Sequence, residues 1–378
     1  MEHDGLNYEY IDTPEGLRRT VERLRGLPLI AVDTEAAGYH RFFDRMSLVQ
    51  ISSREEHFLV DPFTVGILDP LADLLEDPAV ETVFHDADYD LRILDRDAGL
   101  SVAGLFDTQI AASFLGEKSL GLGSIVEKYL GLKLPKEYQR ADWAERPLTE
   151  GMKQYAATDT AHLPALRDKL RAALEERGRL HWAEEEFRRR ELTKFVEPEE
   201  GREAFLKMKG ARDLAPRGLA ILRELHEWRE GVARERDQAT FRVLNNQALL
   251  EMSAAPPEDQ SALRKITGVS EGMAQRRGRD ILAAVQRGLA VPEDQLPRFP
   301  RPQRWDRDVE LEERVERLKQ ARNARAEELD MDGGFLMSRA ILEEVGKARP
   351  RDLEQLAAVQ GVRRWQVEAL GDALLKVL

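Results

Sequence analysis

Cysteine is absent from all 378 residues. Disulfides and thiolate metal ligands are therefore excluded, and any metal site must be built from carboxylates, histidines or backbone oxygens. There is also no uninterrupted apolar run long enough to span a bilayer, so no membrane partner is expected. The opening Met1-Glu2-His3-Asp4-Gly5 lacks the basic stretch and apolar core of a secretory leader. Positive charge is in deficit too. The net charge is −13, which taken whole argues against a nucleic-acid partner. The deficit is local, however: residues 1–210 carry 28 Lys+Arg against 41 Asp+Glu, whereas residues 211–378 are balanced at 29 each. Charge thus neither supports nor excludes RNA or DNA. A cytoplasmic protein of two or three domains is the expectation from length and composition.

What is present is organised around Leu29-Ile30-Ala31-Val32-Asp33-Thr34-Glu35, a short apolar strand running into two carboxylates. Side chains two apart on a strand point to one face, so Asp33 and Glu35 converge. Like charges held close repel and are costly to desolvate unless a cation lies between them, and a hard divalent ion suits carboxylate oxygens. An acidic pair at a strand end can equally be solvated, so the reading depends on whether other acids arrive there.

Along the chain, a strand is expected at Tyr8–Ile11, then a helix opened by Thr13-Pro14 and stopped by Gly26. Met46–Ile51 and His57–Val60 read as strands closely connected to the Asp33/Glu35 strand, an antiparallel meander. A helix over Leu68–Glu76 leads to a strand at Thr82–Phe84, and helices dominate to about Arg190. This alternation predicts a mixed sheet flanked by helices. After the last strand comes His85-Asp86-Ala87-Asp88-Tyr89-Asp90-Leu91. Asp86 and Asp88 fit as helix-start acids favoured by the dipole. Asp90 adjoins the apolar face formed by Leu91 and Leu94 and would turn toward the sheet edge. His85 reads equally as a satisfied strand-end residue or a substrate contact. Tyr155 and Asp159, four apart on a helix starting near Thr149, share a face. Four acids and one phenol could thus meet at one edge of the sheet.

The order Asp33-Thr34-Glu35, His85…Asp90-Leu91 and Tyr155-x-x-x-Asp159 resembles the three motifs of the DEDDy 3′–5′ exonuclease family. Ser47-Leu48-Val49-Gln50-Ile51, Phe106-Asp107-Thr108-Gln109-Ile110-Ala111, the run from Ser119 to Gly131, Asp142-Trp143 and Arg146-Pro147-Leu148 extend the similarity to the ribonuclease D family over roughly residues 8–190. The resemblance implies a ribonuclease H-like α/β fold and a metal-dependent 3′–5′ exoribonuclease. Such an enzyme hydrolyses phosphodiesters from RNA 3′ ends to nucleoside 5′-monophosphates, with tRNA precursors or other small structured RNAs as partners. It also implies two divalent ions, Mg²⁺ or Mn²⁺. Asp33 would bridge them, Glu35 and Asp159 would complete the nucleophile-side site, and Asp90 would hold the second ion. Tyr155 would orient the attacking water; Gln50 and His85 would contact nucleic acid. One departure is Ala36, where relatives commonly carry an aromatic; either Tyr39, Phe42 or Phe43 supplies the missing ring, or the grip on the 3′ end is looser. A 3′–5′ DNA exonuclease with the same chemistry, or a non-catalytic nucleic-acid-binding module, stands as the alternative.

Beyond a charged linker at 196–210, a repeat appears with a 93-residue offset: Leu263, Ile266, Gly268, Val269, Gly278 and Leu282 match Leu356, Val359, Gly361, Val362, Gly371 and Leu375. Each unit opens with a long helix, 218–236 and 310–329, and resembles an HRDC domain. The expected division is a catalytic domain over 1–195, HRDC-like all-α units over 211–291 and 309–378, and a proline-rich connector over 292–308. In the first unit Arg264, Lys265, Arg276, Arg277 and Arg279 surround the Ile266–Val269 turn and are candidates for phosphate contact, though a solvated charged face reads as well. The second unit is expected to serve packing or contact with another protein. A monomer is expected, and a chain ending near residue 195 is expected to keep its chemistry, because every candidate ligand precedes residue 160.

Overall fold

The computed structural model describes residues 6–197, 203–300 and 308–378. Six strands, β1 (Glu9–Ile11), β2 (Leu29–Ala36), β3 (Met46–Ser52), β4 (His57–Val60), β5 (Glu81–Phe84) and β6 (Leu105–Asp107), form one sheet ordered β1-β4-β3-β2-β5-β6. β2, β3 and β4 pair antiparallel, as the short connections predict. β5 joins β2 in parallel, β6 joins β5 in parallel, and β1 joins β4 in parallel, so the sheet is mixed.

Alternation along β2 decides which helices cover which face. Ile30 and Val32 enter a core with α1 (Pro14–Leu24), the short α2 (Pro62–Val65) and α3 (Ala72–Leu75), and α4 (Asp88–Ala98). Leu29 and Ala31 face the other way, into a core with α5 (Thr108–Phe114), α6 (Leu122–Leu130), α8 (Leu163–Glu176) and α9 (Leu180–Arg190). α7 (Glu150–Ala161) packs Tyr155, Ala156 and Ala157 with Leu48 and Leu59 of β3 and β4. Helix starts follow their caps. Thr13 accepts from Gly16 N with Pro14 at the first position of α1, and Thr149 accepts from Met152 N at the head of α7. The single helix expected over Leu68–Glu76 is instead a 3₁₀ turn, Asp69–Leu71, followed by the one-turn α3; Pro70 supplies no amide to a longer ladder. β6 was not anticipated, being three residues whose last is also a helix cap.

The repeat persists element by element. α10 (Pro216–Arg236), α11 (Thr240–Val243), α12 (Asn246–Ala254), α13 (Gln260–Leu263) and α14 (Glu271–Leu289) recur as α15 (Val309–Leu329), α16 (Gly333–Leu336), α17 (Arg339–Ala348), α18 (Leu353–Ala357) and α19 (Arg364–Leu375). Every start is shifted by 93 residues. A buried arginine on each long helix repeats its role: Arg229 Nη1 donates to Leu244 O at 3.2 Å, Arg322 Nη1 to Met337 O at 2.7 Å. Gly268 and Gly361 both take positive φ, 94° and 88°, at the turn before the last helix.

The two units differ in what they rest on. The first has its own core, into which Phe205 from the Ala204–Lys207 turn is packed. The second half of the expected 196–210 linker therefore belongs to this unit, while residues 198–202 lie outside the described residues. Phe299, from the expected 292–308 connector, also packs on this core; residues 301–307 lie outside the described residues. Among the described residues the second unit has no separate core. Its Leu336, Trp365 and Leu370 join the cluster containing Phe114, Trp182 and Phe187 of the sheet-bearing domain. Polar groups fix the contact as well. The Glu185 carboxylate on α9 accepts from Arg364 N at 2.9 Å and Trp365 N at 3.0 Å, capping α19 from outside. Glu186 Oε1 accepts from Trp365 Nε1 at 2.6 Å.

Candidate active site

Asp33 and Glu35 leave the end of β2 on one face, in register with Gln50 and Leu48 of β3, and the ladder shifts just after them at Glu35/Ala36. α7 brings Asp159 to the same place. One carboxylate oxygen from each of Asp33, Glu35 and Asp159 lies within 4.8 Å of the others. Asp90 arrives from α4 on the opposite side of the sheet and is held slightly apart: its Oδ1 accepts from Thr34 N at 3.0 Å and Thr34 Oγ1 at 2.6 Å. Its charge is still felt at Glu35.

The electrostatics are those of crowded like charges. Burial pushes Asp33 up to about 6. Burial, and then the charges of Asp33, Asp159 and Asp90, raise Glu35 well above the usual carboxylate range. Asp90 and Asp159 are raised in the same way, by burial first and Asp33 second. Among the described residues none of these acids has an ion-pair partner, so the cluster lacks compensating charge from the protein itself. Carboxylate oxygens at this spacing and without an internal cation match the donor set that hard divalent ions take. Tyr155, buried on α7, has its ring 6.1 Å from both Tyr138 and Trp143. Burial, followed by the Asp159 and Glu35 charges, keeps its phenol protonated. A cavity of about 240 Å³ lined by Asp33, His85, Gln139, Tyr155 and Asp159 opens over these groups.

The remaining candidates are distributed differently. His85 lines this cavity with Nδ1 2.8 Å from Thr108 Oγ1, and burial lowers its pKa despite the pull of Asp107 and Asp86, so it is neutral at pH 7. Gln50 corrects the expectation of a nucleic-acid contact. It is fully buried beside Asp33 in register, and its amide atoms have no partner among the described residues. Central strand residues beneath a packed helix have no surface to offer a polymer. Arg264, Lys265, Arg276, Arg277 and Arg279 lie around the α13–α14 turn, and none lines the cavity. Arg264 pairs with Glu271 at 3.2 Å, and Arg277 with Asp280 at 3.5 Å.

A positioning residue was missed. The buried Asp107 accepts from Gln109 N and Ile110 N at 2.8 and 3.2 Å, capping α5, and from Asp86 N and Ala87 N at 3.1 and 2.9 Å. It thereby ties down the turn that launches the Asp90 helix, where Asp86 takes a φ of 62°. The Asp-Thr-Gln cap pattern was visible; its second pair of donors, twenty residues upstream, was not.

A cluster of acids fit for divalent ions on a mixed sheet is the setting, and the comparisons supply the class, a 3′–5′ exonuclease. Residues 8–175 match the 3′–5′ exonuclease family, and residues 218–285 and 312–378 each match the HRDC domain. A ribonuclease D of Pseudomonas paraeruginosa is 31% identical over 373 residues, covering 98% of this chain and 97% of that protein. The crystal structure of Escherichia coli RNase D, described as an exoribonuclease involved in structured RNA processing, superposes with a TM-score of 0.69 at 29% identity over 99% of both chains. A Bifidobacterium adolescentis protein superposes with a TM-score of 0.79 at 26% identity, covering 99% of this chain and 97% of that one. The chain belongs to the ribonuclease D family, and its activity is that of a 3′–5′ exoribonuclease.

Proposed function

We propose that the chain trims 3′ extensions from small structured RNAs, tRNA precursors among them, releasing nucleoside 5′-monophosphates with two divalent ions, Mg²⁺ or Mn²⁺, at the Asp33/Glu35/Asp90/Asp159 cluster. The reading rests on one observation above all: three carboxylate oxygens within 4.8 Å of one another, with no protein cation among the described residues to offset them. When bound, such ions acidify the attacking water and neutralise charge building on the leaving oxygen. Asp33, between the other acids, is the residue suited to shared ligation; Glu35 and Asp159 would complete the nucleophile side and Asp90 the leaving-group side. Thr34 positions Asp90 through two hydrogen bonds and so sets where the fourth carboxylate can reach. Tyr155 keeps its proton and can donate a hydrogen bond that fixes the attacking water's direction. His85, neutral at the cavity wall, offers an imidazole edge to the terminal nucleotide. The protein would act as a monomer in the cytoplasm.

The test is degradation of a 5′-labelled tRNA precursor carrying a 3′ extension, run beside single-stranded DNA with Mg²⁺, with Mn²⁺ and with a chelator. Stepwise shortening from the 3′ end of RNA, abolished by the chelator, is the expected outcome. Internal cuts, metal-independent cleavage or preference for DNA would overturn the assignment.

A further inference from the structure

The loop that follows Glu35 carries an aromatic surface completed by another domain. Tyr39 and Phe241 of α11 are both about half exposed, at 47% and 46%, with ring centroids 5.2 Å apart. Arg140 and Arg242 each place a guanidinium carbon 5.6 Å from the Tyr39 ring centre, and Arg242 lies 5.9 Å from that of Phe241. Both arginines are exposed, and neither forms a carboxylate ion pair among the described residues. The patch is fixed in place: Ala239 N donates to His40 O at 3.0 Å, and His40 Nε2 lies 2.7 Å from Arg140 O. The patch adjoins the cavity in sequence: Gln139, the residue before Arg140, lines it.

Exposed rings interleaved with unpaired guanidiniums are what a single strand requires. Bases stack on aromatic faces regardless of sequence, and arginines meet the phosphates between them. We propose that Tyr39 and Phe241, with Arg140 and Arg242, form a stacking platform for unpaired RNA nucleotides upstream of the one being removed. This rests on the 3′-exonuclease reading for direction, since the strand must run from the platform into the cavity. The first HRDC unit thereby supplies half of a site whose other half belongs to the nuclease.

The test uses the full chain and measures binding of fluorescein-labelled oligoadenylates, from dimer to octamer, without divalent ions, so that hydrolysis plays no part. Phe241→Ala is expected to weaken octamer binding about tenfold, ~1.4 kcal/mol, in line with stacking of one base. The penalty should grow with strand length, and Phe241→Trp should restore affinity. Arg140→Ala combined with Arg242→Ala should lower octamer affinity and flatten its salt dependence. Unchanged octamer affinity in Phe241→Ala, or an equal loss for dimer and octamer, overturns the platform and leaves these rings as domain packing. A wild-type chain that binds octamer in this way but removes no nucleotides would overturn the proposed function and not the platform.

Discussion

Trp365 of the last helix stands edge-on to Phe114 of the nuclease, ring centroids 4.9 Å apart at 78°. The contact joins the chain's C-terminal unit to its N-terminal core. Both residues are fully buried, and Trp182 and Phe335 complete the aromatic cluster. The second HRDC unit is therefore part of the nuclease's hydrophobic core. Trp365→Ala is expected to lower stability by about 3–5 kcal/mol, the usual cost of removing a buried ring, with Glu186 losing its indole partner. Thermal and urea unfolding of the full chain check this. A change below about 1 kcal/mol would show the interface to be loose. The same contact argues against independent chemistry in a chain cut near residue 195, because the cut would expose Phe114, Trp182 and Phe187 to water.

Asp33→Asn, Glu35→Gln, Asp90→Asn and Asp159→Asn should each abolish hydrolysis. In the metal-free protein each should leave the melting temperature unchanged or raised, since each removes one of several mutually repelling charges. Full activity in any purified variant would remove that residue from the proposed ligand set.

Tyr155→Phe keeps the ring packed against Trp143 and Tyr138 and deletes only the hydroxyl. A fall in kcat on the order of 10²-fold with KM nearly constant is expected for one positioned catalytic group. Loss of stability with kcat preserved would make the tyrosine a core residue and nothing more.

Asp61 tests an ion pair apart from the carboxylate cavity. Its buried carboxylate accepts from Arg146 Nε at 2.7 Å and Nη2 at 2.9 Å, from the Tyr10 hydroxyl and from Phe63 N at 3.0 Å. Burial alone would raise its pKa, but Arg146 and Tyr10 outweigh it and hold the group below the usual range. A depressed acid contributes stability that is present above its unfolded pKa, 3.8, and lost as pH falls through the folded value. Asp61→Asn should therefore cost about 1–3 kcal/mol at pH 7, the range for hydrogen bonds to a charged group, because Arg146 is partly exposed and keeps other acceptors. The gap to wild type should shrink as pH drops below about 4. Urea unfolding at several pH values measures it, and a pH-independent difference would assign the effect to packing.

Much of this was legible in the sequence because the signals were local. Asp33 and Glu35 sit two apart on a strand, Tyr155 and Asp159 four apart on a helix, and the 93-residue repeat survives in every helix start. What stayed hidden depends on long-range contact. Amphipathic spacing in α19 shows that it buries a face and does not show that the face meets α9 and α5. Gln50 looked like a motif residue, and only its register opposite Asp33 under α7 shows that it is sealed from solvent. The pairing of Tyr39 with Phe241 spans some two hundred residues and has no sequence signature.

The basic turn of the first HRDC unit gives the last prediction. Of the five residues expected to meet phosphate, Arg264 and Arg277 are already paired with carboxylates. Lys265, Arg276 and Arg279 are exposed and form no ion pair among the described residues. Contact with phosphate by the first two would first have to break existing pairs, so the remaining three should carry most of the electrostatic affinity. Releasing counterions from a single strand changes the slope of log K against log salt by about 0.7 per phosphate. Replacing Lys265, Arg276 and Arg279 together by alanine should flatten that slope by up to about 2 units, whereas replacing Arg264 and Arg277 should change it much less. The measurement is binding of a tRNA precursor between low and physiological salt, in metal-free buffer. An unchanged slope in the triple variant would make the turn a solvated face and leave Arg242, beside Phe241, as the first unit's route to RNA.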